Sequence, residues 1–312
     1  MHENGLNIVV FAYKRPDSLE RCLAALQENK LSGISKLVIC IDGPKENALE
    51  NDINGFKKTV EVAKNIQGFA EVNVWANKTN LGLVQQFFLK FDALFELADE
   101  WVVVEDDIIV GHFFLDYMQE AFRRFGQNTK VSLIHAYTYY ISTFKKENSC
   151  FFAVGSGNKA FGITKTFWKN LERKASYYAE MPGNHLLKEE LIKKKINYSS
   201  LNIEELRSDK LKAWDVILSM YTKREKLLCL SPDFTLAKDA GWNRTDASNT
   251  FGENVYDTGE FDADYRIKIF PSEVAADKRK EKQIKFYFKY TLRLKFLESR
   301  IKKNLKRLKP SR

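Results

Sequence analysis

The chain of 312 residues is 44% hydrophobic and 29% charged, so it can bury a large core in one domain or two fused lobes, and a disordered or fibrous class is excluded. Its net charge of +9 is unevenly spread, because residues 278–312 carry +13 and leave −4 on the rest. No apolar run approaches the roughly 18 to 20 residues of a membrane-spanning helix, and the N-terminus has no basic segment followed by an apolar one. We therefore expect a cytoplasmic protein.

Segments typical of strands alternate with segments typical of helices in the first third of the chain. The strands are predicted at 7–13, 36–41, 72–75 and 101–105, and the helices are predicted from Asp17 onward, at about 52–66 and at 83–97. Asp17 is expected to cap the first helix together with Glu20. This alternation predicts a parallel sheet built from βαβ units, in which ligands gather at the carboxyl ends of the strands.

Three consecutive carboxylates, Glu105, Asp106 and Asp107, follow the most apolar of these strands. Adjacent acids repel one another and lose hydration beside a core, so they persist most easily where a divalent cation or hydrogen-bond donors compensate them. A solvated acidic turn is the alternative. The sequence has neither a GxGxxG nor a GxxxxGK[ST] motif, so a diphosphate would have to be held through a metal ion.

Two other predicted strand ends carry residues that suit a nucleotide. Arg15 could face a phosphate or only cover the surface. Asp42 could accept hydrogen bonds from a base or ribose, or only cap the turn that Gly43 and Pro44 make. Both alternatives stay open on the sequence alone.

The second half of the chain is less regular. A strand is predicted at 131–137, a loop-rich aromatic segment at 151–161, a helix at 166–171, a polar insertion at 176–210 and a strand with a following loop at 228–236. Trp214, Ile217 and Tyr221 recur at helical spacing, which places Asp215 near the start of a largely buried helix, where the helix dipole favours its charge. A helix cap is the alternative role of Asp215.

The chain resembles the GT-A glycosyltransferases in four stretches. These are Phe11-Ala12-Tyr13-Lys14-Arg15-Pro16, Asp42-Gly43-Pro44, Asn80-Leu81-Gly82 and Val104-Glu105-Asp106-Asp107. The last stretch and its continuation to Val110 are similar to the inverting N-acetylglucosaminyltransferase that starts complex N-glycans and to bacterial family 2 sugar transferases. The resemblance covers roughly residues 7 to 255 and implies a GT-A fold with a mostly parallel central sheet.

The resemblance also implies a role for each motif residue. Asp107 would be the ligand of Mn²⁺ or Mg²⁺ on the donor diphosphate, and Asp215 would be the catalytic base that takes the proton of the acceptor hydroxyl. The remaining donor-binding residues would be Phe11, Tyr13, Arg15, Asp42, Asn80, Glu105, Asp106 and Arg244. Asn249 stands where relatives often have a histidine, so a second metal ligand from the protein is in doubt.

The basic C-terminal segment mixes its cations with aromatic and aliphatic residues. Such a helix suits the surface of an anionic membrane, although a helix that packs on the domain with a solvated basic face is the alternative. Nucleic acid is not expected as a partner. We therefore expect a peripheral protein of the inner face of the cell membrane.

These observations predict an α/β enzyme of the hexosyltransferase class with a GT-A domain at 1–275 and a basic helical tail at 276–312. Residues 1–110 would form its nucleotide-binding half and 111–275 its acceptor half. Its partners would be a nucleotide-sugar donor and a glycan or lipid-linked acceptor of a surface glycan such as lipopolysaccharide or capsule. The alternatives are a nucleotidyltransferase that forms sugar nucleotides and a non-catalytic binding module.

Overall fold

A computed structural model describes residues 5–138, 141, 143–154, 159–174, 214–241, 261–291, 294–295 and 297–298. The strands of its main sheet are β1 (Asn7–Ala12), β2 (Lys36–Ile41), β3 (Glu71–Ala76), β4 (Glu100–Glu105), β6 (Val131–His135), β7 (Cys150–Ala153), β8 (Ala160–Thr164) and β9 (Leu228–Pro232). Two short strands, β5 (Ile108–Val110) and β10 (Ala237–Asp239), form a separate antiparallel pair.

The main sheet has the strand order β3-β2-β1-β4-β8-β6-β9-β7. Strands β1, β2, β3, β4, β6 and β9 run in one direction, while β8 and β7 run in the opposite direction. The predicted α/β class with a mostly parallel central sheet is therefore confirmed.

Helices cover both faces of this sheet. They are α1 (Pro16–Gln27), α2 (Glu50–Asn65), α3 (Leu83–Leu97), α4 (Phe114–Phe125), α5 (Lys165–Asn170), α6 (Trp214–Arg224) and α7 (Lys278–Phe286). Helices α1 and α4 contribute to the core on one face, and α3, α5 and α6 contribute to the core on the other. Strands β1 and β4 read as continuous apolar runs because both of their faces are buried.

Helix α1 corrects one prediction. Asp17 does not cap it, because the helix begins at Pro16 with Arg15 at the N-cap and no side-chain cap. Proline is favoured in the first turn of a helix, since its fixed φ suits the helix and its missing N–H costs nothing there. Asp17 instead places a negative charge in the first turn, near the positive end of the helix dipole.

The segment 151–161 was expected to be loop-rich, but its described residues belong largely to β7 and β8. Strand β8 inserts antiparallel between β4 and β6. A glycine is needed in it, because a Cβ at Gly162 would lie 2.6 Å from Cζ of Phe122 in α4. The aromatic residues of this segment, Phe151, Phe152 and Phe161, are buried in the core.

None of the helices in the described ranges combines the length and apolar character needed to cross a bilayer.

Candidate active site

The carboxyl ends of β1 and β4 meet at one edge of the sheet. Phe11 pairs with Glu105 in the register of the two strands, and the carbonyl oxygen of Phe11 accepts a 3.0 Å hydrogen bond from the amide of Asp106. This bond starts the turn of Asp106 and Asp107 that leads into β5. Glu105 therefore ends β4 beside the end of β1, and Asp106 and Asp107 follow in the turn.

Arg15 binds two of these acids from the loop that joins β1 to α1. Its Nη2 and Nε donate to Asp106, and its Nη1 donates to Oδ2 of Asp107 at 2.9 Å. Burial opposes the charge of the guanidinium, but the carboxylates of Asp106 and Asp107 outweigh it and raise the pKa of Arg15. Asp106 itself is almost fully buried. The predicted convergence of Arg15 with the acidic motif is present.

Glu105 sits in the most crowded part of this edge. Burial, and then the negative charge of Asp107, raise the pKa of Glu105 to about 8, against the opposing pull of the Lys159 ammonium.

Lys159 and Asp239 were not singled out from the sequence. Lys159 precedes β8 and forms an ion pair with Asp239 at the end of β10, whose carboxylate also accepts a 2.9 Å hydrogen bond from the amide of Gly241. Lys159 also interacts electrostatically with Glu105, Asp107 and Asp215, yet burial lowers its pKa. It is thus a positive charge among four carboxylates.

Gly241 lies against Asp107. A Cβ at this position would collide with the Asp107 carboxylate, and the amide of the preceding Ala240 donates to the Asp107 carbonyl oxygen at 2.9 Å. The end of β10 therefore packs against the acidic turn, which fixes the position of Asp107. Arg244 and Asn249 lie outside the described residues, so their predicted roles stay predictions.

Asp215 reaches the same site from α6. Its neighbour Trp214 stacks on Phe87 of α3 with ring centroids 4.0 Å apart and planes 1° from parallel, and it also contacts Phe161 at 5.6 Å. This packing holds the first turn of α6 against the sheet. Asp215 interacts electrostatically with Glu105 and Lys159, so the sequence motif far along the chain does converge with the acidic turn.

Asp42 lies at the end of β2 and organises the loop from Asn77 to Gly82, which follows β3. Its Oδ1 accepts hydrogen bonds from the amides of Gly43 and Leu81 and from Nδ2 of Asn77, and its Oδ2 accepts from Nδ2 of Asn80 and the amide of Gly82, all at 2.8 to 3.1 Å. The carboxylate is 4% exposed. Asp42 and Asn80 are therefore engaged with each other, and a direct contact with a nucleotide stays a prediction.

The other two predicted donor residues occupy different surroundings. The ring of Phe11 packs against Phe87 and Phe91, with centroids 5.5 and 5.8 Å away. Tyr13 is half-buried, and the ammonium of Lys14 lies 5.6 Å from the centroid of its ring. Phe11 thus belongs to the aromatic packing beneath the edge, whereas Tyr13 lies on the loop that carries Arg15.

Within the described residues, no group of three or more His, Cys, Asp and Glu side chains is arranged to hold a metal ion. A cation at Asp107 would therefore take fewer than three such ligands from the described residues. A carboxylate is a ligand of the hard oxygen type that Mn²⁺ and Mg²⁺ accept, and Mg²⁺ commonly completes its shell with water and substrate phosphates. The side chain of Asp107 is 17% exposed and its Oδ2 contacts Arg15, so a bound cation would share this carboxylate with the guanidinium.

No protein-family model matches the chain, and no curated protein matches it. Among solved structures, the chain is similar to the mannosyltransferase PcManGT from Pyrobaculum calidifontis in complex with GDP-Man and Mn²⁺, with 10% identity, a TM-score of 0.37, and 53% of this chain and 46% of that chain covered. It is also similar to S. aureus TarS, with 13% identity, a TM-score of 0.29, and 42% and 21% of the two chains covered.

A third similar structure is that of the galactosyltransferase LgtC in complex with donor and acceptor sugar analogues. Its identity is 10%, its TM-score is 0.37, and the match covers 69% of this chain and 70% of that chain. The chain thus spans less than half the length of the first two structures. Similarities this distant assign no residue roles.

Proposed function

We propose that the chain is a glycosyltransferase that moves a sugar from a nucleotide diphosphate donor to a hydroxyl group of a glycan, with inversion at the anomeric carbon. The observation that supports this most is the convergence of Asp215 with the Glu105–Asp107 turn around Lys159. Such a transfer needs a site for the departing diphosphate and a base for the acceptor proton. We assign the first role to Asp107 and the second to Asp215.

Asp107 is the residue that would hold Mn²⁺ or Mg²⁺. When bound, such a cation offsets the negative charge that develops on the departing diphosphate. Arg15 adds a second positive charge beside the same carboxylate. Because its guanidinium is fixed by Asp106 as well, it is already oriented before a donor binds.

Asp215 takes the role of general base. The acceptor oxygen attacks the anomeric carbon, the bond from that carbon to the diphosphate oxygen breaks, and the hydroxyl proton moves to the Asp215 carboxylate. The nucleoside diphosphate leaves with the electron pair of the broken bond.

Lys159 and Asp239 complete the proposed site as positioning residues. The ammonium group of Lys159 interacts with Glu105, Asp107 and Asp215 and offsets part of the repulsion among them. Asp239 holds this ammonium group in place. The acceptor class, a hydroxyl of a surface glycan, rests on the sequence resemblance alone.

A donor-turnover assay tests the proposal. The full chain is incubated with UDP-, GDP- and dTDP-sugars and Mn²⁺, and release of the nucleoside diphosphate is measured with and without EDTA. We expect release from the sugars of one nucleotide, with at least about a 100-fold loss in Asp107→Ala, since metal stabilisation amounts to several kcal/mol. Asp99→Ala, a change of an exposed acid on the same chain, serves as the control. Release that is equal in all three proteins would contradict the proposal.

A further inference from the structure

Helix α7 is attached to the domain by one of its faces. Glu281 is buried and accepts a 3.2 Å hydrogen bond from the amide of Val154, and Nε2 of Gln283 donates to the carbonyl oxygen of Thr143 at 3.0 Å. Tyr287, in the π-helical turn that follows α7, is 3% exposed and packs with Ile141. The amide of Asp277 also donates to Phe152 of the edge strand β7 at 2.8 Å.

The opposite face of α7 and its π-helical turn is exposed and mixes cations with aromatic rings. Its cations include Lys282, Lys285 and Lys289, all of which are exposed. Phe286 is 60% exposed and Tyr290 is 46% exposed, and their ring centroids lie 4.9 Å apart. Two further apolar side chains, Leu294 and Leu297, are more than half exposed farther along. We call the set Lys282, Lys285, Phe286, Lys289 and Tyr290 the outer face.

We propose that the outer face binds the anionic surface of a lipid bilayer, with the lysines at the headgroups and the rings of Phe286 and Tyr290 in the interface. Lysines next to exposed aromatic rings are the combination that such an interface accommodates, because it offers negative charge and apolar depth at the same place. An RNA partner would contact the lysines through its phosphates and the rings through its bases, but the exposed aliphatic side chains Leu294 and Leu297 offer no stacking surface.

The charge distribution supports one orientation of the protein on such a surface. Residues 278–312 carry +13, whereas the remaining residues carry −4. An anionic bilayer therefore attracts this segment of the chain and weakly repels the rest. Because α7 is hydrogen-bonded to the segments around Thr143 and Val154, docking of its outer face would hold the whole domain at the membrane. The proposal goes beyond the proposed transfer reaction and does not depend on it.

Vesicle flotation with the full chain tests this inference. We expect binding to vesicles of phosphatidylcholine with 30% phosphatidylglycerol at about 0.1 M salt, and little binding to phosphatidylcholine alone. The triple variant Lys282→Glu, Lys285→Glu, Lys289→Glu should bind at least about 100-fold more weakly, since each lysine near the surface contributes about fivefold. The double variant Phe286→Ser, Tyr290→Ser should lose at least about tenfold, because it removes apolar area from the interface.

A matched control changes the same net charge elsewhere. The variant Lys57→Glu, Lys58→Glu, Lys64→Glu alters three exposed lysines of α2, and its loss of binding should be far smaller than that of the α7 variant because the effect of distant charges is screened. Thermal melting curves that match the wild-type curve ensure that all the variants are folded. Equal losses in the two triple variants, unchanged binding of the aromatic variant, or tight binding of a 30-nucleotide RNA without vesicle binding would each overturn the proposal.

Discussion

At the residue scale, two cations from the described part of the chain contact the acids of the site. Arg15 forms ion pairs with Asp106 and Asp107. Lys159 forms an ion pair with Asp239 and interacts electrostatically with Glu105, Asp107 and Asp215. Burial raises the pKa of Glu105 most, and the negative charge of Asp107 adds to this effect. Among the described residues the acids outnumber the cations at this edge, and a bound cation would compensate such a cluster.

The change Asp215→Asn tests the proton transfer. It keeps the shape of the side chain but removes the base, so transfer should fall by roughly 10²- to 10⁴-fold while donor binding stays unchanged. Product formation and donor affinity are measured on the same preparations, and Asp99→Asn is the control for loss of one exposed acid. Wild-type rates in Asp215→Asn at saturating substrate would refute the assignment of the base.

His112 provides a pH-dependent contact outside the site. Its Nδ1 lies 2.8 Å from Oδ1 of Asp264 and its Nε2 lies 3.0 Å from Oε2 of Glu28. The hydrogen bond to Asp264 raises the pKa of His112 most, burial opposes it, and the hydrogen bond to Glu28 adds to the increase. The charged imidazole therefore stabilises the folded chain, and this stabilisation is fully present below the unfolded pKa of about 6.5 and is lost as pH rises through the higher folded pKa.

We expect His112→Gln to lower the free energy of unfolding by less than about 1 kcal/mol at pH 5.5, because the pair is exposed, and to have a smaller effect at pH 9. Urea denaturation at the two pH values measures this difference. A Glu28→Gln, His112→Gln double-mutant cycle isolates the contribution of one partner. A destabilisation that grows with pH would contradict the assigned direction of the pKa shift.

At the scale of elements, the carboxylate of Asp42 at the end of β2 holds the conformation of the loop that follows β3. Asp42 accepts five hydrogen bonds, and an asparagine there would turn its own N–H groups toward donors. Asp42→Asn should therefore destabilise the chain by about 2 to 4 kcal/mol, since buried donors lose their acceptor.

Urea denaturation measures this cost, and hydrogen exchange at the amides of Leu81 and Gly82 shows whether the loop opens. Asp52→Asn is the matched control, because Asp52 is partly exposed and pairs only with Lys14 among the contacts described, so its loss should cost less than about 1 kcal/mol. Equal stabilities of the two variants would mean that Asp42 does not hold the loop.

At the scale of the whole molecule, local sequence signals predicted the first half of the chain well. The bounds of β2 and α3 agree with the structure at both ends, because apolar periodicity and nearby turn residues determine both elements. The edge that gathers Arg15 and the acidic turn was also predictable, since parallel βαβ units place strand ends side by side.

Lys159 and Asp239 could not be found in the same way. Lys159 reaches the acids because β8 inserts antiparallel between β4 and β6, and Asp239 reaches them because β10 pairs with β5. Both pairings join segments that are distant in sequence, and neither produces a periodicity that differs from that of other short apolar strands. The sequence signal for Lys159 was its position directly before the apolar segment 160–163.

Calorimetric binding of UDP, GDP, CDP and dTDP, each with and without Mn²⁺, tests the central claim that this edge of the sheet is a donor site. The proteins are wild type, Asp107→Ala and the control Asp99→Ala. We predict that one nucleotide binds in the micromolar range to wild type and Asp99→Ala with Mn²⁺ present, and that Asp107→Ala or removal of Mn²⁺ abolishes this binding. Binding that Asp107→Ala leaves unchanged, or no binding of any of the four nucleotides, would contradict the claim.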